Sequence, residues 1–146
     1  MSDARQRFEV LLVEDNPGDV FLTQEAFREG HMPLRLCVVG DGEEAMRYLR
    51  RESPFEEAIR PDLVLLDLNL PKKDGRELLA ELKADSELRH IPVIILTTSE
   101  SRQDVWRAYK LHANCYLTKP IEVEHFMRKI KSIEDFWLTV ARLPSN

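Results

Sequence analysis

Apolar residues along this chain fall into short runs separated by polar stretches of regular length. Phe8–Val13 (F-E-V-L-L-V), Leu34–Val39, Leu63 to Asp67, Ile91 to Thr97 (I-P-V-I-I-L-T) and Asn114–Leu117 are each four to seven residues long. Runs of that length, rich in Val, Ile and Leu and bounded by turn residues, predict strands, and the near-continuous ones predict strands buried on both faces. Between them the apolar positions recur at helical spacing: Val20, Phe21, Ala26 and Phe27; Ala45, Met46 and Leu49; Leu78, Leu79 and Leu82; Val105, Trp106, Ala108 and Tyr109. The punctuation agrees. Asn16-Pro17-Gly18-Asp19 offers an N-cap, a first-turn Pro and an early acid, and Gly30 is a fitting stop. Asp41 with Glu44 three residues on resembles a capping box. Lys72-Lys73-Asp74-Gly75 is turn chemistry, and Ser53 to Pro61 is polar, Pro-flanked loop. A helix is predicted over Ser101 to His112, and Pro120 is predicted to open a last one running to about Arg142.

Strand and helix alternate five times. That alternation predicts an α/β fold, a (βα)5 doubly wound parallel sheet with helices on both faces and right-handed crossovers. With 146 residues, no internal repeat and no linker long enough to divide it, the chain reads as a single domain, 1–146.

Composition narrows the setting. No apolar run approaches the roughly 18 residues that a membrane span needs. Met1 to Arg7 is polar, which argues against a secretory leader and for a cytoplasmic location. The formal net charge is -5 and no basic stripe stands out, so neither a nucleic-acid nor a membrane partner is expected. Arg128, Lys129 and Lys131 have the spacing of a solvated helix face. Cys37 and Cys115 give neither a disulfide framework nor zinc spacing and read as small buried hydrophobes.

The candidate chemistry lies at the strand ends. In a parallel sheet all the carboxyl ends share one edge, where ligands bind in open α/β folds. The first strand delivers Glu14 and Asp15, the third Asp67, the fourth Thr97 and Thr98, and the fifth Thr118, Lys119 and Pro120. Three carboxylates crowded together raise one another's pKa unless a cation is present. A hard divalent cation with oxygen ligands, Mg²⁺ above all, suits such a site. Lys119 adds an ammonium and Thr97 a hydroxyl. Cations and a hydroxyl on the phosphoryl oxygens, with a carboxylate to attack, are the parts that phosphoryl transfer needs. Each residue alone is an ordinary cap, β-former or surface lysine; their joint occurrence at four strand ends is what discriminates.

With these residues in place, the chain resembles the receiver domain of two-component response regulators, over a core of about 8–131 with a helical extension of about 132–143. The matching motifs are Val13-Glu14-Asp15, Leu65-Leu66-Asp67-Leu68-Asn69-Leu70-Pro71 with Asp74-Gly75, Leu96-Thr97-Thr98, and Tyr116-Leu117-Thr118-Lys119-Pro120. The resemblance implies the flavodoxin-like strand order 2-1-3-4-5. It implies that Asp67 is the phosphoacceptor, modified by the phosphohistidine of a sensor histidine kinase. Glu14, Asp15, Asp67 and the backbone carbonyl of Asn69 would hold Mg²⁺, for which Mn²⁺ can substitute. Thr97 would sense the acyl phosphate, Lys119 would bond a phosphoryl oxygen, Tyr116 would be the aromatic switch, and the Lys119–Pro120 bond would be cis. Many receivers carry Ala or Gly at the position of Thr98, so its branched side chain is expected to narrow access to the phosphoryl group. The resemblance is closer still to stand-alone regulators paired with phytochrome-type kinases, bacteriophytochromes among them. It rests there on Glu14-Asp15-Asn16-Pro17-Gly18-Asp19, the loop from Ser53 to Ile59, Leu96-Thr97-Thr98-Ser99, and the tail Ile133-Glu134-Asp135-Phe136-Trp137 through Leu143-Pro144.

Such a chain is expected to be a signalling switch rather than an enzyme, with no output domain after its receiver and with output through protein contacts. The last helix carries Phe126, Ile130, Ile133, Phe136, Trp137 and Val140, a stripe broader than one core face needs. A homodimer is expected through the last two helices and fifth strand, with Trp106, Tyr109, Phe136 and Trp137 contributing. Two other function classes stay open. A metal-dependent phosphatase with an Asp nucleophile commonly carries a second acid two residues on, where this chain has Asn69. A flavin or nucleotide binder needs a Gly-rich loop after the first strand, where this chain has Glu14-Asp15-Asn16-Pro17.

Overall fold

The computed structural model describes residues 7–144. Strands β1 (Phe8–Val13), β2 (Leu34–Val39), β3 (Leu63–Leu66), β4 (Val93–Thr97) and β5 (Cys115–Thr118) form one parallel sheet in the order β2-β1-β3-β4-β5. Helices α1 (Pro17–Arg28), α2 (Gly42–Arg50), α3 (Gly75–Ala84), α4 (Arg102–Lys110) and α5 (Val123–Asp135) alternate with them. The doubly wound architecture expected from the sequence is the one present.

Alternation along the strands divides the core in two. Leu11, Val13, Val64, Leu66, Val93 and Ile95 meet α2 and α3 residues such as Leu49, Leu78, Leu79 and Leu82. Val10, Leu12, Leu63, Leu65, Ile94 and Leu96 meet Ala26 and Phe27 of α1 and Phe126, Ile130 and Ile133 of α5. Every residue of β3 is fully buried, which is why that strand has no polar position. Burying one such side chain contributes about 1.5–3 kcal/mol. Cys37 and Cys115 are half-buried free thiols, less enclosed than expected.

The caps formed as the sequence indicated, with one shift. The Asn16 side chain accepts from Asp19 N–H, Asp41 from Glu44 N–H and Ser101 from Asp104 N–H. Glu44 reaches back to the N–H of Gly40 at 2.9 Å, one residue earlier than the box predicted. The reciprocal box sits instead on α3, where Asp74 and Glu77 exchange bonds with each other's backbone.

Two boundaries differ for identifiable reasons. β4 begins at Val93, because Pro92 cannot donate to the ladder and only its carbonyl pairs, accepting from Val64 N–H at 3.0 Å. The last helix begins at Val123, not Pro120, since Glu122 is extended at φ -78° and ψ 135°. Its α-helical part stops at Asp135. The Thr139 hydroxyl donates to the Glu134 carbonyl at 3.3 Å, and the chain widens into a π-helical turn, Phe136–Val140, closed by Ala141 N–H donating to the Phe136 carbonyl at 2.6 Å.

Glu134 ties this end of the molecule together. It is 4% exposed, and one carboxylate oxygen accepts the N–H groups of His31 at 3.0 Å and Met32 at 2.9 Å. Its carboxyl fills the space that a Cβ on Gly30 would occupy, so a larger residue there would have to displace it. In Glu134→Ala the two backbone donors lose their acceptor, which costs about 1–3 kcal/mol. The urea midpoint should fall accordingly with an unchanged slope, and an unchanged midpoint would show the carboxylate to be dispensable.

Candidate functional site

Register builds the site. Val13 pairs with Leu66, so Glu14 and Asp67 leave their strands side by side. The Asp67 N–H still donates to the Val13 carbonyl at 3.1 Å, and Glu14 N–H to the Val39 carbonyl at 3.0 Å. On the other flank Thr97 pairs with Thr118, and Lys119 N–H donates to the Thr97 carbonyl at 2.7 Å. The ladder thus continues one residue beyond β5 and fixes the backbone from which Lys119 reaches back across the edge.

Lys119 is 7% exposed, and its ammonium meets three carboxylates: Glu14 Oε1 at 2.6 Å, Asp19 Oδ2 at 2.8 Å and Asp67 Oδ2 at 3.0 Å. Burial alone would pull the ammonium's pKa down; the bonds to Asp19 and Glu14, with the field of Asp67, outweigh it and hold the proton more firmly than usual. Glu14 is 3% exposed and goes the other way. Its carboxyl is pushed up to about 7, first by burial and further by the Asp67 charge, against the pull of Lys119. The one ammonium shared among three acids does not offset the burial of Glu14.

Glu14, Asp15 and Asp67 each offer a carboxylate oxygen, and these lie within 4.8 Å of one another. Asp15 is exposed while the other two are buried, which leaves the cluster open on one side. The all-oxygen donor set and the raised Glu14 carboxyl both fit a divalent cation. Asn69, exposed in the loop after β3, turns its N–H to Asp67 Oδ1 at 3.2 Å.

Thr97 is wholly buried, and its hydroxyl has no hydrogen-bond partner. A buried polar group left unpaired costs about 1–3 kcal/mol, so Thr97 stands out against the satisfied groups around it. Tyr116 is half-buried and donates from its hydroxyl to the Ser99 carbonyl at 2.9 Å.

Glu14, Asp15, Asp67, Asn69, Thr97 and Lys119 therefore gather at one edge as the sequence indicated. The Lys119–Pro120 bond corrects an expectation: it is trans, the cis peptide bond among the described residues being Ser53–Pro54. Trans is the lower-energy isomer of an X-Pro bond by about 0.5–1 kcal/mol, and Lys119 reaches its three acids without the other. Asp19 is the residue that sequence reading missed. It read as a first-turn helix acid, which it is, and the signal for more was its place one turn into a helix that starts at this edge. Trp106, Tyr109 and Phe136 lie away from this edge, each about half exposed or more, at 66%, 48% and 52%. Trp137 is half-buried, set edge-on to Phe136 at 5.5 Å and packed on the α1–α5 core.

Comparison with known proteins agrees with this geometry. Residues 10–131 match the sequence model of the response regulator receiver domain. The chain is 46% identical over 136 residues to the response regulator Rcp1 of Synechocystis sp., covering 93% of this chain and 92% of that one. The fold superimposes on the phosphorylated cyanobacterial phytochrome response regulator RcpA with a TM-score of 0.93 at 50% identity, over 95% and 99% of the two chains. It superimposes on the Mn²⁺-bound form of Rcp1 with a TM-score of 0.91 at 45% identity, over 94% and 99%.

The shared ammonium sets a testable outcome. Lys119→Met leaves Glu14 and Asp67 buried without their cation, and breaking a buried pair costs about 3–5 kcal/mol. An acid whose folded pKa is raised contributes fully below its unfolded value and loses that contribution as pH rises through the folded one. The deficit against the native chain should therefore be largest near about pH 8 and shrink toward about pH 5. Urea melts in EDTA read it, and added Mg²⁺ should restore part of it. Equal stability of the two proteins at the higher pH would refute the assignment.

Proposed function

The chain belongs to the response regulator receiver family, and from that premise we propose that it accepts a phosphoryl group on Asp67 from the phosphohistidine of a phytochrome-type sensor kinase, bacteriophytochromes included. The observation that carries the reading is the shared edge: Asp67, one residue beyond β3, lies within a cluster of acids and bonds Lys119, and β3 pairs with β4, whose Thr97 hydroxyl has no partner.

Glu14, Asp15 and Asp67, with the Asn69 carbonyl, would hold Mg²⁺ or Mn²⁺, which when bound offsets the charge of the phosphoryl oxygens. Asp67 supplies the nucleophilic oxygen. Its bond to phosphorus forms as the bond from phosphorus to the donor imidazole breaks, and the imidazole nitrogen takes up a proton. Lys119, already bonded to Asp67, neutralises one phosphoryl oxygen, and its competing bonds to Glu14 and Asp19 give way as it does so. Thr97 then donates its free hydroxyl to another. The product is a covalent mark on the protein, so the chain is a switch and not a turnover enzyme. Asn69 stands where an Asp-nucleophile phosphatase would carry its second acid, which favours a stable mark over rapid hydrolysis.

A cytoplasmic setting fits this partner, and among the described residues no helix is long and apolar enough to cross a membrane. Output runs through contact: Trp106, Tyr109 and Phe136 expose large apolar surface along the last two helices, and a second copy of the chain is the expected partner.

Two experiments test the reading. Labelled phosphate should pass from a phytochrome-type kinase to the native chain in Mg²⁺ and fail in EDTA or in Asp67→Asn; transfer to another residue of that variant would overturn the site. Sedimentation across a concentration series, with and without fluoroberyllate, should show a dimer that Trp106→Asp and Phe136→Asp weaken by about tenfold or more. A monomer under both conditions would reject the dimer.

A further inference from the structure

The Lys119 ammonium bonds three acids, Glu14, Asp19 and Asp67. An ammonium has three donors and no more. A further anion that bonds Lys119 therefore takes the place of one of the three. Which acid gives way follows from how each is held.

Glu14 is held twice. Its side chain is 3% exposed, and its second oxygen accepts the N–H of Asn16 at 3.2 Å. Asp67 is held in the same way, 9% exposed and accepting the N–H of Asn69 at 3.2 Å. Asp19 differs. Its side chain is 24% exposed, and among the described residues its carboxylate bonds Lys119 alone. It also lies outside the three acids whose oxygens gather at the candidate metal position, so a cation there does not need it.

Releasing Asp19 asks little of the fold. Its backbone is fixed by bonds that do not involve the carboxylate. The N–H donates to the Asn16 side chain at 3.0 Å, and the carbonyl accepts the Thr23 hydroxyl at 2.7 Å. The carboxylate can turn to water by rotating between staggered side-chain conformers, and the bond given up is a partly exposed ion pair. Releasing Glu14 instead would leave a buried charge without its partner, which costs more.

We infer that Asp19 is a positioning residue that competes with the phosphoryl group for one proton of Lys119, and so weakens the hold of the Asp67 site on that group. The inference rests on the reading of Asp67 as phosphoacceptor. A ligand that binds only those molecules in which a competitor is displaced has its apparent affinity reduced by their fraction. Asp19 also stands in the first turn of α1, where an acid stabilises the helix through its dipole.

Fluoroberyllate in saturating Mg²⁺ is the probe, titrated against the native chain, Asp19→Asn and Asp19→Glu. Asp19→Asn should bind about two- to fivefold more tightly, the range that a partly exposed ion pair allows. Asp19→Glu keeps the charge and should fall back toward native affinity. In a Lys119→Met background Asp19→Asn should change nothing, because its effect passes through the lysine. Unchanged or weaker binding in Asp19→Asn would overturn the inference. So would an equal gain in the Lys119→Met background, which would show the Asp19 charge acting on the anion directly. A helix-start role alone would lower the melting temperature and leave the affinity unmoved. A second readout needs neither the mimic nor the Lys119→Met chain. Without ligand, the Lys119 ammonium protons followed by NMR should exchange with water about two- to fivefold faster in Asp19→Asn than in the native chain. Equal exchange would also overturn the inference. Failure of the native chain to bind fluoroberyllate at all would count against the phosphoacceptor reading instead, and proton exchange would still decide whether Asp19 holds the lysine.

Discussion

Three acids at one sheet edge share a single ammonium, and the rest of the structure is arranged around making that tolerable. Glu14, Asp67 and Lys119 are each less than a tenth exposed. Like charges so close, with so little water, would destabilise the fold if the lysine were absent or misplaced. Its position is set by a ladder bond from its own N–H to the Thr97 carbonyl, and theirs by the pairing of Val13 with Leu66. A parallel sheet is well suited to this task. Its strand ends converge on one edge without any local sequence relation, so residues 105 positions apart, Glu14 and Lys119, meet at 2.6 Å. The imbalance left over, two acids more than cations among these four groups, fits a divalent cation at this edge.

How much of this could be read in the sequence depended on whether a residue's role was local or collective. Asp67 was legible because a fully buried strand ends on it, and a carboxylate in that position has nowhere to go but the edge. Caps were legible because an N-cap bonds three residues ahead. Asp19 was not, since its role as a helix-start acid already accounts for it, and only the fold shows that its second oxygen meets Lys119. Glu134 was opaque for the same reason: its partners, the backbone of His31 and Met32, lie about a hundred residues away and have no side-chain signature. The end of the last helix was misjudged because periodicity continues through Phe136 and Val140 although the hydrogen-bond pattern changes at Glu134. The isomer of Lys119–Pro120 was inferred from resemblance alone, and no feature of the residues themselves required it.

The same contrast separates what can move from what cannot. On both faces of β3 and β4 the side chains are fully or almost fully buried and interlocked, and cores packed this way do not deform gradually. A change of charge at Asp67 therefore has no route through the sheet. The rim is different. From Thr98 to Asp104 the chain is exposed or half-exposed and is held by individual hydrogen bonds rather than by packing. Segments of that kind are the low-stability end of a structure, and switching elements are drawn from it.

Within that rim Ser99 is the branch point. Its carbonyl holds Tyr116 on β5, its hydroxyl holds Asp104 on α4, and it follows by two residues the one buried hydroxyl at the site edge that lacks a partner. A shift of the loop is therefore felt at once by the strand and the helix that flank the exposed Trp106 and Tyr109. Phe136 lies farther along, on the turn after α5, a helix that is joined to β5 by the Lys129 ammonium donating to the Thr118 carbonyl at 2.8 Å. A phosphoryl group can bias a surface only by differential contact, and the α4 side of the apolar face is the side joined to the β4–α4 loop by the bonds of Ser99.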